Sequence, residues 1–232
     1  MISIISPSFN EEKNISEHIL SVLRVFDANN IDGELIIIDD VSTDSTRDIV
    51  KEEMSKDSRI RAFVMNKNSK RVGTTAIGFS EAKGEIIMTI DCDLQDNPED
   101  IPSLLKAMDE CDVVIGWRSK RKDPFSKRIS SKIGNMLANI LFGTHFHDMN
   151  ASMRAFKKES VAEISNARAH RFLPHILSSR GYKVKEIHVN HRKRLNGKSE
   201  FRFFNRLHTI VDLFIIRFSK LKTKSIPLYK TI

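Results

Sequence analysis

The chain is predicted to be an α/β protein with a mainly parallel central sheet flanked by helices, and three observations lead there. Short apolar runs at 2–6, 34–39, 60–65, 85–91 and 112–117 alternate with helix-length patterns at 11–28, 43–56, 72–83 and 98–109. Strand-length runs separated by helices imply βαβ crossovers, hence a sheet covered on both faces. The composition, 40% hydrophobic and 29% charged over 232 residues, is that of a packed globular chain, and no repeat or Pro/Gly/Ser-rich linker divides it.

Taken in order, the strand runs of the first half read ISIIS, ELIIID, IRAFVM, EIIMTID and DVVIGW. The second half is less regular. A helix is expected near 126–142, a strand around 151–156 (ASMRAF), helices near 158–166 and 171–180, and a strand at 183–189 (KVKEIHV). One domain is expected over 1–205, its basic half completing a site built by its acidic half. Residues 206–232 are set apart as an amphipathic, basic helix and tail. Within 203–218, Phe203, Leu207, Ile210, Val211, Phe214 and Phe218 fall near one helical face with Arg202, Arg206, Arg217 and Lys220 nearby. Both a core helix and a helix lying on anionic lipid fit that pattern.

Two cysteines, Cys92 and Cys111, make no disulfide framework and lack the spacing of a zinc site, which points to a reducing compartment. MISIISPSFNEE lacks the basic flank and apolar core of a secretory signal, and no stretch reaches about 18 uncharged apolar residues, so no leader and no membrane span are expected. Charge is polarised along the chain. Residues 1–116 carry 12 Lys and Arg against 23 Asp and Glu, and residues 117–232 carry 26 against 7. An acidic half suits metal ions or donor hydroxyls; a basic half suits a phosphate, a polyanion or a membrane surface. With 7% aromatics and no stacking residues interleaved with the cations, nucleic acid is a poor partner.

In parallel sheets ligands sit beyond the carboxyl ends of the strands. Asp91-Cys92-Asp93 ends one run and offers hard oxygen ligands for a divalent cation, although Asp93 could equally begin a turn and cap the helix after Pro98. Asp39-Asp40 ends another and suits ribose hydroxyls or base N–H groups, while Ser42-Thr43-Asp44-Ser45-Thr46 behind it is a helix start. Pro7-Ser8-Phe9-Asn10-Glu11 ends a third.

These residues, together with Asn66, Gly73 and Ala76, resemble the ordered motifs of inverting family-two glycosyltransferases with the GT-A fold. The form Asp91-Cys92-Asp93-Leu94-Gln95, Gly116-Trp117-Arg118, the stretch 127–135, Asp148 to Phe156, and His191-Arg192-Lys193-Arg194 with Gly197-Lys198-Ser199 resemble the polyprenyl-phosphate sugar synthases, such as the dolichyl-phosphate mannose synthases. The resemblance covers roughly residues 2–205.

It implies that Pro7, Asn10, Glu11, Asp39 and Asp40 hold the nucleoside of a GDP- or UDP-linked sugar. Asp91, Asp93 and Gln95 would organise its diphosphate with Mg²⁺ or Mn²⁺. Asp91, Asp93 and Arg118 are the residues implied at the reaction centre, and Lys127, Ser131, Arg192, Arg194 and Lys198 those at the acceptor phosphate. A peripheral position on the cytoplasmic face of a membrane follows from a polyprenyl phosphate acceptor. An ionised acceptor phosphate needs cations and positioning rather than a base. Two alternatives stay open: transfer to a glycan hydroxyl, for which Asp148 is the candidate base, and a non-catalytic module binding polyanions or anionic membrane.

Overall fold

Every apolar run of the first half forms a strand and every intervening pattern a helix. In order come β1 (Ile2–Ser8), α1 (Ile15–Ala28), β2 (Gly33–Asp39), α2 (Thr46–Lys56), β3 (Ile60–Met65), α3 (Lys70–Glu81) and β4 (Ile86–Thr89). A 3₁₀ turn (Pro98–Asp100) runs into α4 (Ile101–Ala107), followed by β5 (Val113–Trp117) and α5 (Phe125–Phe142). The remaining elements are β6 (Arg154–Lys157), α6 (Lys158–Val161), α7 (Leu173–Ser179), β7 (Val184–His188) and β8 (Tyr229–Thr231). The computed structural model describes residues 1–68, 70–119, 125–148, 150–162, 172–192, 213–217 and 229–232.

The strands form one sheet in the order β7-β5-β6-β4-β1-β2-β3-β8. All run one way except β6 and β8, which are antiparallel to their neighbours. β2 is buried along its whole length, which is why its sequence is a continuous apolar run instead of an alternating one. Its side chains still alternate between two cores. Leu35 and Ile37 pack with Ile4 and with Ile19, Val22 and Phe26 of α1, while Ile36 and Ile38 pack with Ile5, Ile77 of α3 and Leu173 of α7. Helix α3 lies so close to β1 that a Cβ at Gly78 would stand 2.4 Å from Ile5 Cγ2. Glycine is what permits that approach.

The end of the chain returns to the sheet. β8 pairs with the outer edge of β3, and the Tyr229 ring meets Phe63 edge to face at 5.6 Å. The three-residue strand has no apolar period to announce it, and it covers an edge that would otherwise be open. Of the 203–218 pattern only 213–217 is described; it is helical, with Leu213 and Ile216 buried and Phe214 and Ile215 exposed. Among the described residues no helix is long and apolar enough to cross a membrane. Cys92 and Cys111 are buried free thiols, both held protonated by burial.

Two histidines are built into the two cores. His18 Nε2 lies 2.8 Å from Ser6 Oγ under β1, and His175 Nδ1 lies 2.7 Å from Thr144 Oγ1. Burial pushes each from 6.5 down to about 4. The native chain therefore keeps both neutral while the unfolded chain protonates them. Their contribution to stability is complete above pH 6.5 and is lost as pH falls toward 4. The buried carboxyl of Asp96, raised to about 6, works in the opposite direction over part of that range. Urea midpoints should fall between pH 7 and 5, by on the order of 1 kcal/mol per pH unit for each imidazole. A His18→Gln, His175→Gln protein should show a shallower fall; an unchanged slope would mean that other groups set the acid sensitivity.

Candidate active site

β1 has β2 on one side and β4 on the other, so the strand order reverses here and a crevice opens beyond their carboxyl ends. At each of these three exits one non-glycine residue adopts the left-handed region: Asn10 at φ 52°, Val41 at 67° and Leu94 at 59°. Asparagine takes this conformation readily, whereas the β-branched Val41 and the bulky Leu94 carry a cost on the order of 1–3 kcal/mol each. Hydrogen bonds hold the turns in place. Asp40 N–H donates to Ser8 O at 2.9 Å, Ser42 N–H to Asp39 Oδ2 at 2.9 Å, Thr43 N–H to Asn10 Oδ1 at 2.8 Å, and Gln95 N–H to Asp93 Oδ1 at 3.1 Å.

At the β1–β2 end, Asp39 is fully buried and lies opposite Ser8 in the strand register. Its Oδ2 is taken by Ser42 and faces Arg47 Nε at 3.9 Å, but its Oδ1 has no partner, and neither has Ser8 Oγ. A buried polar atom left unpaired costs about 1–3 kcal/mol. Two such atoms on adjacent strand ends make a place for hydrogen-bonding groups of a ligand. Asp40 is buried beside them and Pro7 sits one residue back, opposite Ile38. Asn10 and Glu11 are drawn into the scaffold: Asn10 ties down the 42–46 loop, and Glu11 accepts from Asn14 Nδ2 at 2.7 Å where α1 begins.

Beyond β4, Cys92 points into the core while Asp91 and Asp93 flank it. Behind them Asp96 is fully buried, accepting from Ser152 Oγ at 2.5 Å. Burial pushes its carboxyl up to about 6, and the charges of Asp91 and Asp93 add to that against the pull of Arg118. This excess of negative charge, presented by hard oxygen donors, fits a divalent cation. Among the described residues no three His, Cys, Asp or Glu side chains converge as a ready metal site. Ions of the Mg²⁺ kind are commonly held by one or two carboxylates and completed by substrate phosphates.

The third wall comes from the basic half. Arg118 leaves β5 into a buried bidentate pair with Asp148, Nε to Oδ2 at 2.8 Å and Nη2 to Oδ1 at 3.0 Å. Asn150 N–H also donates to Asp148 Oδ1 at 3.3 Å, so both carboxylate oxygens are engaged. The preceding Trp117 is stacked between His147 at 4.1 Å and His188 at 4.3 Å, and Glu186 accepts from the backbone of His147 and Asp148. Helix α5 supports this loop through Ser131, which accepts from Asn150 Nδ2 at 3.4 Å, and through Asn135 and Asn139, which donate to His147 O and Phe146 O. Arg192 lies along the turn after β4: its N–H donates to Gln95 O at 2.7 Å and its guanidinium to Asn97 Oδ1 at 2.6 Å, while Gln95 Nε2 reaches Arg192 O at 3.4 Å.

The residues expected at the nucleotide and the metal thus lie at the carboxyl ends of the neighbouring strands β1, β2 and β4, and Gln95 and Arg192 are in direct contact. The Lys127 side chain, Arg194 and Lys198 lie outside the described residues. Ser8, Ser152, Glu186 and the Trp117 stack escaped the sequence reading. Ser8, Trp117 and Ser152 stand inside quoted motifs, yet their contacts, like those of Glu186, are long-range and no local spacing encodes them.

Fold and crevice together define a GT-A glycosyltransferase architecture. Residues 3–165 match the model of glycosyl transferase family 2, and the chain belongs to that family. It is 31% identical over 215 residues to an undecaprenyl-phosphate 4-deoxy-4-formamido-L-arabinose transferase of Shewanella sediminis, covering 91% of this chain and 65% of the relative. It is 29% identical over 227 residues to a dodecaprenyl-phosphate galacturonate synthase of Rhizobium johnstonii, covering 94% and 66%. The chain therefore spans about two thirds of the length of these relatives. Among solved structures, glucosyl-3-phosphoglycerate synthase from Mycobacterium tuberculosis superposes with a TM-score of 0.71 at 16% identity, over 94% of this chain and 79% of that one. A mannosyltransferase from Pyrobaculum calidifontis, solved with GDP-Man and Mn²⁺, gives 0.67 at 15% identity over 96% and 65%. At these identities what is shared is the fold.

Removing one member of a buried ion pair leaves the other charge uncompensated, at a cost of about 3–5 kcal/mol. Asp148→Asn should therefore lower unfolding stability by an amount approaching that range, read from urea midpoints. A midpoint equal to the wild type's would remove the pair from its role as a structural clamp.

Proposed function

We propose that the chain transfers a sugar from a nucleotide diphosphate sugar to a polyprenyl phosphate, with inversion at the anomeric carbon and with Mg²⁺ or Mn²⁺ as cofactor. The observation that carries this reading is the meeting of strand ends, where Asp39 Oδ1 and Ser8 Oγ are buried without a hydrogen-bond partner at the ends of β2 and β1, Asp91 and Asp93 follow β4, and Arg192 is laid against Gln95. The names of the polyprenyl-phosphate transferases among the relatives support the acceptor class.

Asp39 and Ser8 would accept from and donate to the base or ribose, with Asp40, Asn10, Glu11 and Pro7 shaping the loops around them. Asp91 and Asp93 would hold the cation, with Gln95 beside the diphosphate. The cation would supply neutralisation of the charge that grows on the departing nucleoside diphosphate. An acceptor phosphate oxygen attacks the anomeric carbon as the bond from that carbon to the diphosphate oxygen breaks, and the electron pair leaves on the nucleoside diphosphate. The nucleophile is already ionised near neutral pH, so no side chain has to remove a proton. That suits a site in which both oxygens of Asp148, the candidate base for a hydroxyl acceptor, are occupied by Arg118 and Asn150. Arg192, Lys127, Ser131, Arg194 and Lys198 are the proposed acceptor-phosphate residues, with Arg118 fixing the loop that carries Asp148. The site of action would be the cytoplasmic surface of an anionic membrane.

Release of nucleoside diphosphate from UDP- and GDP-sugars, with Mn²⁺ or Mg²⁺ and with or without a short-chain polyprenyl phosphate, tests the reading. One donor should give lipid-dependent release, with a glycolipid of matching mass, and Asp93→Ala should reduce it by at least about a hundredfold. Release that ignores the lipid, or survives Asp93→Ala, would contradict it.

A further inference from the structure

Strand β7, at one edge of the sheet, carries a carboxylate on its core face. Its register against β5 sets Val184 beside Val113, Glu186 beside Ile115 and His188 beside Trp117. Residues in register on parallel strands project to the same face. Val113 and Ile115 are fully buried and Val184 packs against the same core, so an apolar residue would suit position 186. Glu186 stands there instead, its side chain 10% exposed, and among the described residues no Lys or Arg pairs with it. The loop at 147–148 holds it. Oε1 accepts from His147 N–H at 2.8 Å and from Asp148 N–H at 3.2 Å, while Oε2 accepts from His147 N–H at 3.0 Å and lies 2.8 Å from His147 Nδ1. Burying a carboxylate is costly unless hydrogen bonds satisfy it, and a break in the apolar pattern at that cost marks a position used for more than packing.

The next residue on the same face, His188, has its Nδ1 3.1 Å from Ser119 Oγ, and Ser119 N–H donates to Trp117 O at 3.0 Å. β7 therefore grips both arms of the third wall: Glu186 holds the arm that carries Asp148, and His188 the arm that carries Arg118. Trp117 joins the two, its ring lying between His147 and His188 at interplanar angles of 17° and 29°.

We propose that Glu186 is a positioning residue for the transfer, acting through Asp148 on Arg118. The inference rests on the reading of the site as a transferase with Arg118 at its reaction centre, and it adds the residue that sets where that guanidinium stands. Glu186 fixes the backbone of 147 and 148 and so the place of the Asp148 carboxylate. That carboxylate takes Nε and Nη2 of Arg118 as a fork, which fixes the guanidinium plane and the direction of its Nη1 donors. Both oxygens of Glu186 are engaged, so it serves geometry and not proton transfer. Geometry is enough to matter, because a displacement of about 1 Å can cost about a hundredfold in rate.

The kcat for transfer to a short-chain polyprenyl phosphate and the emission of Trp117, the one tryptophan of the chain, together test this. Glu186→Ala should lower kcat at least about tenfold and leave the KM for the nucleotide sugar within about twofold, since the nucleotide is placed at the ends of β1, β2 and β4. The same variant should shift the Trp117 emission to the red as water replaces the His147 imidazole. Glu186→Gln should restore the emission and bring kcat to within about threefold of the wild type: its amide oxygen accepts from both N–H groups, and its amide nitrogen donates to the other tautomer of His147. Should the alanine variant fail to fold, Glu186→Asp, one methylene too short to reach both N–H groups, takes its place with the same expected losses. A folded Glu186→Ala with the wild-type kcat is what a purely structural carboxylate predicts and would overturn the proposal. So would a Glu186→Gln as impaired as Glu186→Ala, or an emission unmoved in Glu186→Ala. A wild type that transfers from no donor would count against the proposed reaction, while the emission of the variants would still decide whether Glu186 holds the loop.

Discussion

The register of the parallel strands around β1 is the constraint on which the rest depends. Ser8 stands opposite Asp39, so β1 and β2 leave the sheet at one level, while Thr89 at the end of β4 stands opposite Ile5, three residues earlier. A shift of β2 by one residue would turn its side chains to the opposite faces, moving Leu35 and Ile37 out of one core and Asp39 away from Ser8. The hydrophobic packing of two faces therefore fixes where the carboxylates stand. The cost of positive φ at Val41 and Leu94 is carried by the same packing, since rigid strands and helices on either side of each turn leave the loops one way to close.

Electrostatics in the crevice follows from burial. Asp96 is held behind two other carboxylates with Ser152 as its donor, and burial raises its pKa, with the charges of Asp91 and Asp93 adding to the effect. Across from it Arg118 and Asp148 neutralise each other out of water. A buried pair of this kind contributes little net stability yet is costly to break, so it acts as a clamp on the geometry of the loop. With Asp148 engaged in that way, the chemistry proposed for the site needs an acceptor that arrives already ionised.

The sequence was most legible where periodicity and packing agree. The buried runs at Leu35–Ile38 and Ile87–Ile90 announce strands because both faces of the sheet are covered, and the acidic residues at their ends, Asp39 with Asp40 and Asp91 with Asp93, fall where parallel strands direct chemistry. It was least legible where a contact depends on distant chain. β8 is three residues of no distinctive pattern, Glu186 sits in a strand with nothing local to mark its bonds to 147 and 148, and Trp117 gains its two stacked imidazoles only after the sheet forms. Helix α5 shows the same division. Its helical period could be read directly, while the bonds of Ser131, Asn135 and Asn139 to the loop at 146–150 become visible only in the fold.

The account turns on Asp39 and Ser8 being ligand-binding atoms, not defects of packing. Titration calorimetry of UDP and GDP with Mn²⁺ tests this most directly, comparing the wild type with Asp39→Asn at equal fold by circular dichroism. The account predicts that one nucleoside diphosphate binds in a metal-dependent way and that Asp39→Asn weakens it by about tenfold or more, the loss of a hydrogen bond to a charged acceptor. Unchanged affinity in Asp39→Asn, or no binding of either nucleotide to folded wild type, would contradict it.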